Sequence, residues 1–587
     1  MHACLSLLAV SLLQIVNASY NGTRTSDLLE EYDFIIVGGG SAGCRLAEKI
    51  SAVQRFRVLL IEAGGPPPFS SHIPMMAPLA LTNPEFDWNI RSEPQKFAML
   101  SNIDQRRTMS AGKVIGGGST VNFMAYQRGS RSDFDNWEKK YGAEGWNWEK
   151  ALKIFTLDER TDDEELRNEF HGLSGDLGVH TYREKSAMKD ALFEAAKGEG
   201  FAFSDTNDGD DSGFYHLQST VRDGQRVNSF GAFLEPHLSR KNLHVTLYST
   251  VMKVTFEDKS ATGVVFRKDG TDIFVKAVRE VILSAGALKT PQLLLLSGVG
   301  PKEHIADFDV RLVHDLPGVG QNFQDHVGFI GLLTEVPESA VVDVNDVEAI
   351  QQWLVDKSGP MTSPAGLHYG VLYANVTVER KSDVEMLFFA LKNAKIDLGL
   401  EAETLMSFYG PVLEKNLLQP LLVLMRPKSR GRVGLVSSNP FDNPSVDPRY
   451  LSDPQDVKTL VQAGKQAISI LTSAAMKAAN ATLLEHKFPA CESHEIFSEE
   501  YLECLVRHHS FNIFHPCCTC RMGRPDDPLA VVDHRLKVHG LEKLRIADNS
   551  IIPEIPSGHL NAHAILIGHK AGNFILEDYA MAARTEL

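Results

Sequence analysis

Three stretches of this 587-residue sequence combine residue types and spacings that can do chemistry. The first is Gly38-Gly39-Gly40-Ser41-Ala42-Gly43, followed nineteen positions past Gly43 by Glu62. Gly38 permits a tight turn, Gly40 lets backbone approach a pyrophosphate, and Gly43 lets a helix pack closely on a strand. A helix opening at Ser41 and Ala42 would offer free N–H groups and a positive dipole end to phosphates. Glu62 stands where a carboxylate grips an adenosine ribose 2′-hydroxyl and would repel a 2′-phosphate. That chemistry is dinucleotide binding, with FAD and NAD both open on this motif. The second stretch, Gly112 to Asn122, carries Gly116, Gly117 and Gly118 beside Ser119 and Thr120, and its backbone could lie against a flat or charged ligand. The third is a pair of histidines in tight contexts, Phe514-His515-Pro516 and Ser557-Gly558-His559. Taking hydride from an alcohol carbon frees a hydroxyl proton that needs a base of near-neutral pKa. The oxygen needs a hydrogen-bonding partner as charge develops on it. Two imidazoles can serve both needs.

The elements that must position these residues are legible around them. Tyr32–Val37 and Arg57–Ile61 read as short buried strands, with a helix through Leu46, Ala47 and Ile50 between them: a βαβ unit with its glycines at the strand-to-helix turn. A strand at Glu280–Ser284 leads into the block Gly286 to Gly300, where Thr290-Pro291 suits a helix start and Ser297-Gly298 its end. A strand–turn–helix recurring so far along implies a sheet assembled from distant segments. The hydrophobic share of 43% and charged share of 23% are ordinary for a globular chain. The net charge of −16 argues against a nucleic-acid partner. Residues 1–18 read as a secretory leader, with an uncharged apolar run from Cys4 to Val16 and a small-residue cut after Ala18. That run is short for a membrane span, so none is expected in the mature chain. Acceptor triplets at Asn21, Asn375 and Asn480 fit a secreted, glycosylated protein.

The motif blocks together resemble the glucose–methanol–choline (GMC) family of flavin oxidoreductases, in its glucose dehydrogenase and choline dehydrogenase-like branch. Residues 112–137 and 286–300 match that family's two long patterns. Asp315 to Asn322 with Asp325-His326, and Leu424 to Gly431, look the same, so the likeness runs from about Tyr32 onward. The resemblance implies an α/β fold of mixed α+β character: a Rossmann-like FAD-binding domain from 31–150, 221–330 and 511–587, and a substrate domain from 151–220 and 331–510 whose antiparallel sheet covers the flavin. It implies FAD rather than NAD, with Glu62 on the ribose, Gly116 in the second glycine block, Asn122 near the isoalloxazine, Val251 against the adenine and Asp548 near the phosphate or ribityl region. Val121 stands where some members carry the histidine that ties FAD covalently, so FAD is expected to be non-covalent. His515 takes the position of the base and His559 that of the second active-site group, for a small-molecule alcohol substrate. The electron acceptor, oxygen or quinone or another, is open, and no metal is expected. Related members that cleave cyanohydrins leave a lyase as the alternative, with a flavin-binding protein of low activity as a third.

One departure stands out. The family's His-Pro-x-Gly-Thr-Cys is here His515-Pro516-Cys517-Cys518-Thr519-Cys520, placing a Cβ where glycine is usual. Buried structural thiols are the leading reading of Cys517, Cys518 and Cys520, ahead of a local disulfide or a metal. Cys491 and Cys504 could bridge. His563, where Pro is usual, reads as a packing change on the flavin side.

Overall fold

The computed structural model describes residues 22–585, except 24, 82, 184–185, 211, 367–369, 377–381 and 393–397. The leader at 1–18 and Asn21 lie outside the described residues. The fold is mixed α/β, with one largely parallel sheet and one antiparallel sheet.

The first sheet has seven strands. It is seeded by β1 (Glu31–Val37) and β2 (Val58–Ile61), which are parallel neighbours joined by α1 (Ser41–Ser51). Phe34, Ile35 and Ile36 and the whole of β2 are buried, as expected of strands covered on both faces. The sheet continues through β3 (Leu243–Thr246), parallel to β2, and on the other side through β6 (Thr271–Leu283), parallel to β1. β4 (Ser249–Glu257) and β5 (Ser260–Lys268) extend it as an antiparallel ribbon. The strand Leu544–Ile546 also joins β6 in parallel. Distant segments thus build one sheet because each offers a short run of Val, Ile and Leu that can be buried on both faces.

After β6 the chain enters α2 (Gly286–Leu296). The expectation that Thr290-Pro291 opens this helix is corrected, because Pro291 lies inside it. Proline cannot donate to the carbonyl four residues back, Ala287 O. Thr519 Oγ1 donates to that carbonyl instead, at 2.7 Å. A hydroxyl from the loop after His515 therefore fills the gap in the helix ladder.

The second sheet has eight strands, all antiparallel. Its centre is β7 (Val327–Phe329), β8 (Val371–Ala374), β9 (Val384–Phe389) and β10 (Leu417–Leu424), with β11 (Ser510–Asn512) beside β7. Side chains alternate across it with period two. Val384, Met386 and Phe388 pack into one core under the helix Pro454–Leu471. Glu385, Leu387 and Phe389 take the opposite face. Beyond it lie the helices α3 (Ala402–Tyr409) and α4 (Leu560–Thr585), α4 packing on α1 of the first sheet. Cys491 and Cys504 form a disulfide. Among the described residues no helix is long and apolar enough to cross a membrane.

Candidate functional site

A cavity of about 870 Å³ runs between the two sheets. At one end its wall is made by Gly38, Gly40, Ser41, Ala42, Glu62, Gly117, Gly118, Asn122, Val251 and Asp548. Gly38 adopts φ +104°, and a Cβ there would sit 2.3 Å from Ser284 O, so only glycine makes this turn. Gly40 begins α1, which no side chain caps. Ser41 and Ala42, first in α1, thus face the cavity with the positive end of the helix. Glu62, at the end of β2, accepts from Gly39 N at 2.8 Å and Gly64 N at 2.7 Å, and burial pushes its carboxyl up to about 7. Asp548 accepts from Gly286 N and Thr290 Oγ1, tying the start of α2 to the same wall.

Two glycines of the expected cofactor-binding set lie behind this wall. Gly43 does not line the cavity, and a Cβ there would meet Gly38 O at 2.0 Å. Its lack of a side chain serves helix–strand packing alone. Gly116 is also set back, its N–H donating to Gly39 O at 2.7 Å and locking the two glycine loops together. Gly117 and Gly118 take the wall position instead.

This end fits FAD. Gly118 and Gly286 line the cavity with open space where a Cβ would go, and Gly40 has only Gly117 Cα, at 3.9 Å. Asn549 Oδ1 and Asn561 Nδ2 are buried, line the cavity and lack a protein partner, as atoms awaiting a polar ligand would.

At the other end stand His515 and His559, their ring centroids 4.7 Å apart in an edge-on arrangement. The His515 backbone N–H donates to Asp325 Oδ1 at 2.7 Å. Asp325 is itself held by Tyr450 Oη and Asn512 Nδ2, and its burial raises its carboxyl to about 7. His559 follows Ser557, whose N–H and Oγ both donate to buried Asp133; Arg426 pairs with the same carboxylate. Gly558 is required here, since a Cβ would lie 2.5 Å from Gly129 N.

Hydrogen-bond logic fixes the tautomer of His515. His326 Nε2 lies 3.1 Å from Met425 O, which can only accept, so Nε2 carries the hydrogen. Burial holds the His326 pKa down to about 3, so its Nδ1 is a bare acceptor. That Nδ1 is 2.9 Å from His515 Nδ1, which must therefore donate. Burial, with the neighbouring histidines, keeps His515 well below its ordinary pKa. A neutral ring protonated at Nδ1 leaves Nε2 with a free lone pair. The first ring nitrogen of His559 is also committed: Nε2 meets both carboxylate oxygens of Glu385 at 3.1 Å.

Neither Glu385 nor the part played by His326 was read from sequence. Glu385 had a signal: one carboxylate in the otherwise apolar strand Val384-Glu385-Met386-Leu387-Phe388-Phe389, fully buried and so in need of a partner. His563 packs, its ring stacked on Phe134 at 5.5 Å, and it is not part of the cavity wall. Cys517, Cys518 and Cys520 are buried, and none lines the cavity. Cys518 takes φ +74°, the conformation the family's glycine suits, with its Sγ 2.7 Å from that of Cys517.

Comparisons agree with this geometry. Residues 32–328 and 427–568 match the two halves of the GMC oxidoreductase family. The chain is 36% identical over 553 residues to the glucose dehydrogenase [FAD, quinone] of Drosophila pseudoobscura pseudoobscura, covering 93% of this chain and 87% of that one. It is 33% identical over 560 residues to the mitochondrial choline dehydrogenase of Mus musculus, covering 93% and 89%. Among solved structures, pyridoxine 4-oxidase from Mesorbium loti superposes with a TM-score of 0.78 at 27% identity, covering 92% of this chain and 99% of that one. A cavity with one end that fits FAD and another that holds paired imidazoles, in a chain so matched, has one assignment: the chain belongs to the GMC oxidoreductase family, FAD-dependent enzymes that oxidise CH–OH donors.

Proposed function

We propose that His515 is the general base for alcohol oxidation and that His559 orients the reacting oxygen. The observation that carries this reading is the chain Met425 O, His326, His515, which leaves His515 Nε2 deprotonated at the cavity. Bound FAD supplies the hydride acceptor. His515 Nε2 takes the hydroxyl proton as the carbon–hydrogen bond breaks. His559, anchored to Glu385 through Nε2, has Nδ1 left for the substrate oxygen, and donates to it from that nitrogen when the ring carries both protons. Asp325 and the Asp133–Arg426–Ser557 anchor fix the two loops, so neither ring needs to reorganise during the reaction.

Glu62, Gly40, Ser41, Ala42, Asn122, Val251 and Asp548 would hold FAD, with Gly43 and Gly116 shaping the loops behind them. Val121 supports non-covalent attachment. We read the flavin domain as 31–150, 221–330 and 511–587, and the substrate domain as 151–220 and 331–510. Asn375 and Asn480 are exposed, which supports glycosylation and passage through the secretory pathway. The test of the base is His515→Ala. Flavin content should stay at the parental level while anaerobic bleaching by alcohol falls by about 10²–10⁴-fold, the usual worth of a general base. Parental bleaching in that variant would refute the assignment.

A further inference from the structure

We infer that the substrate of this histidine pair is an alcohol with an elongated, uncharged, apolar body rather than a sugar or a quaternary ammonium alcohol. The inference rests on the reading of His515 and His559 as the reacting end. The second sheet supplies the floor. On β9, Glu385, Leu387 and Phe389 share one face, and Glu385 holds His559. Leu387 pairs in register with Leu421 of β10, and Phe389 with Gln419; all four line the cavity. From Glu385 to Phe389 the strand advances roughly 13 Å at about 3.3 Å per residue. The floor therefore leads from the histidines along a row of apolar side chains. Ile330, Phe511 and Phe514 complete the walls beside His515, with the two phenylalanine rings 5.9 Å apart.

Among the described residues the polar groups on this path are few: Gln419 and Tyr409, with Lys392 and Lys415, whose ammonium groups pair with Glu338 and Glu335. Gln419 Oε1 receives Tyr409 Oη, which also meets His509 Nε2. The carboxylates on the cavity wall among the described residues, Glu62 and Asp548, both belong to the nucleotide end. Glu385 stands behind His559 with both oxygens committed. A sugar would bring several hydroxyls onto Leu387, Leu421 and Phe389 with nothing to receive them, at roughly tenfold or more in affinity for each unpaired group. Among the described residues a quaternary ammonium would find no free carboxylate near the reacting end. The entrance carries apolar side chains too: Leu405, Met406 and Leu413 line the cavity while 37%, 61% and 66% exposed, with Lys392 and Lys415 also on the wall. Side chains of this kind, wetted at a cavity rim, suit the entry of an apolar solute.

The test uses the FAD-loaded full chain without oxygen and follows flavin bleaching after rapid mixing. The probes are ethanol, butanol, hexanol, octanol and decanol, with glucose and choline. The second-order rate constant should climb by roughly fourfold per added methylene, the worth of one buried CH₂, until the floor is filled. Glucose and choline should react at least about a hundredfold more slowly than octanol. Phe389→Asn should cut the decanol-to-ethanol ratio by about tenfold or more, with flavin absorbance reporting an intact fold. A flat series, an unchanged ratio in that variant, or a preference for glucose or choline overturns the inference and leaves His515 and His559 in place. Failure of every alcohol to bleach the flavin overturns both.

Discussion

His326→Leu is the perturbation that most directly tests how the base is prepared. In the parent, His326 passes a hydrogen bond from His515 Nδ1 to Met425 O, through contacts of 2.9 and 3.1 Å. His326 is fully buried. Leucine fills similar space and offers neither acceptor nor donor, so the His515 Nδ1–H is orphaned in a dry site. An unpaired buried donor costs about 1–3 kcal/mol. The ring escapes part of that cost by carrying its proton on Nε2, the tautomer that cannot accept from substrate. At about 1.4 kcal/mol per decade, the base-competent fraction should fall by about tenfold to a hundredfold. The assay is the anaerobic bleaching rate at saturating alcohol, normalised to flavin content. His326→Gln keeps one acceptor and one donor and should recover most of the rate, which a merely structural role for the ring would not require. A His326→Leu enzyme that retains FAD and bleaches at the parental rate refutes the relay.

Other outcomes follow from the same geometry. Because burial lowers the His515 pKa, the base is lost only on strong acidification. The acid limb of kcat/KM should therefore lie below the ordinary histidine value of about 6.5, and a limb at or above it would contradict the burial argument. Gly43→Ala places a Cβ 2.0 Å from the carbonyl of Gly38. Pushing α1 off β1 should cost about 1–3 kcal/mol, seen as a lower melting point and a reduced flavin-to-protein ratio; full flavin loading would show that the strand and helix can part freely. Replacing Cys491 and Cys504 with serine opens a loop of sequence separation 13. Stability should drop by about 3 kcal/mol in denaturant unfolding, with kcat/KM at the parental level because both residues lie away from the cavity wall.

The sequence by itself determined the βαβ unit that seeds the first sheet. Its signals are local: two short apolar runs, glycines at the turn between them, and one carboxylate at the end of the second run. Gly38 and Glu62 could be placed because a positive-φ turn and a strand-end carboxylate depend on near neighbours. The helix start at Gly286 could not, because the fault that Pro291 introduces is repaired by Thr519, more than two hundred residues away. The same limit hid Glu385. Its partner His559 lies 174 positions along the chain, and only the register of the second sheet brings them together. Likewise Gly43 and Gly116 have the right residue type, yet which glycines reach a ligand depends on how two loops lean on each other. The tautomer of His515 was decided by tertiary structure alone, since it follows from a carbonyl and a second imidazole supplied by distant strands. Short-range sterics write themselves into sequence, whereas hydrogen-bond partners across a buried cavity exist only once both sheets have closed around it.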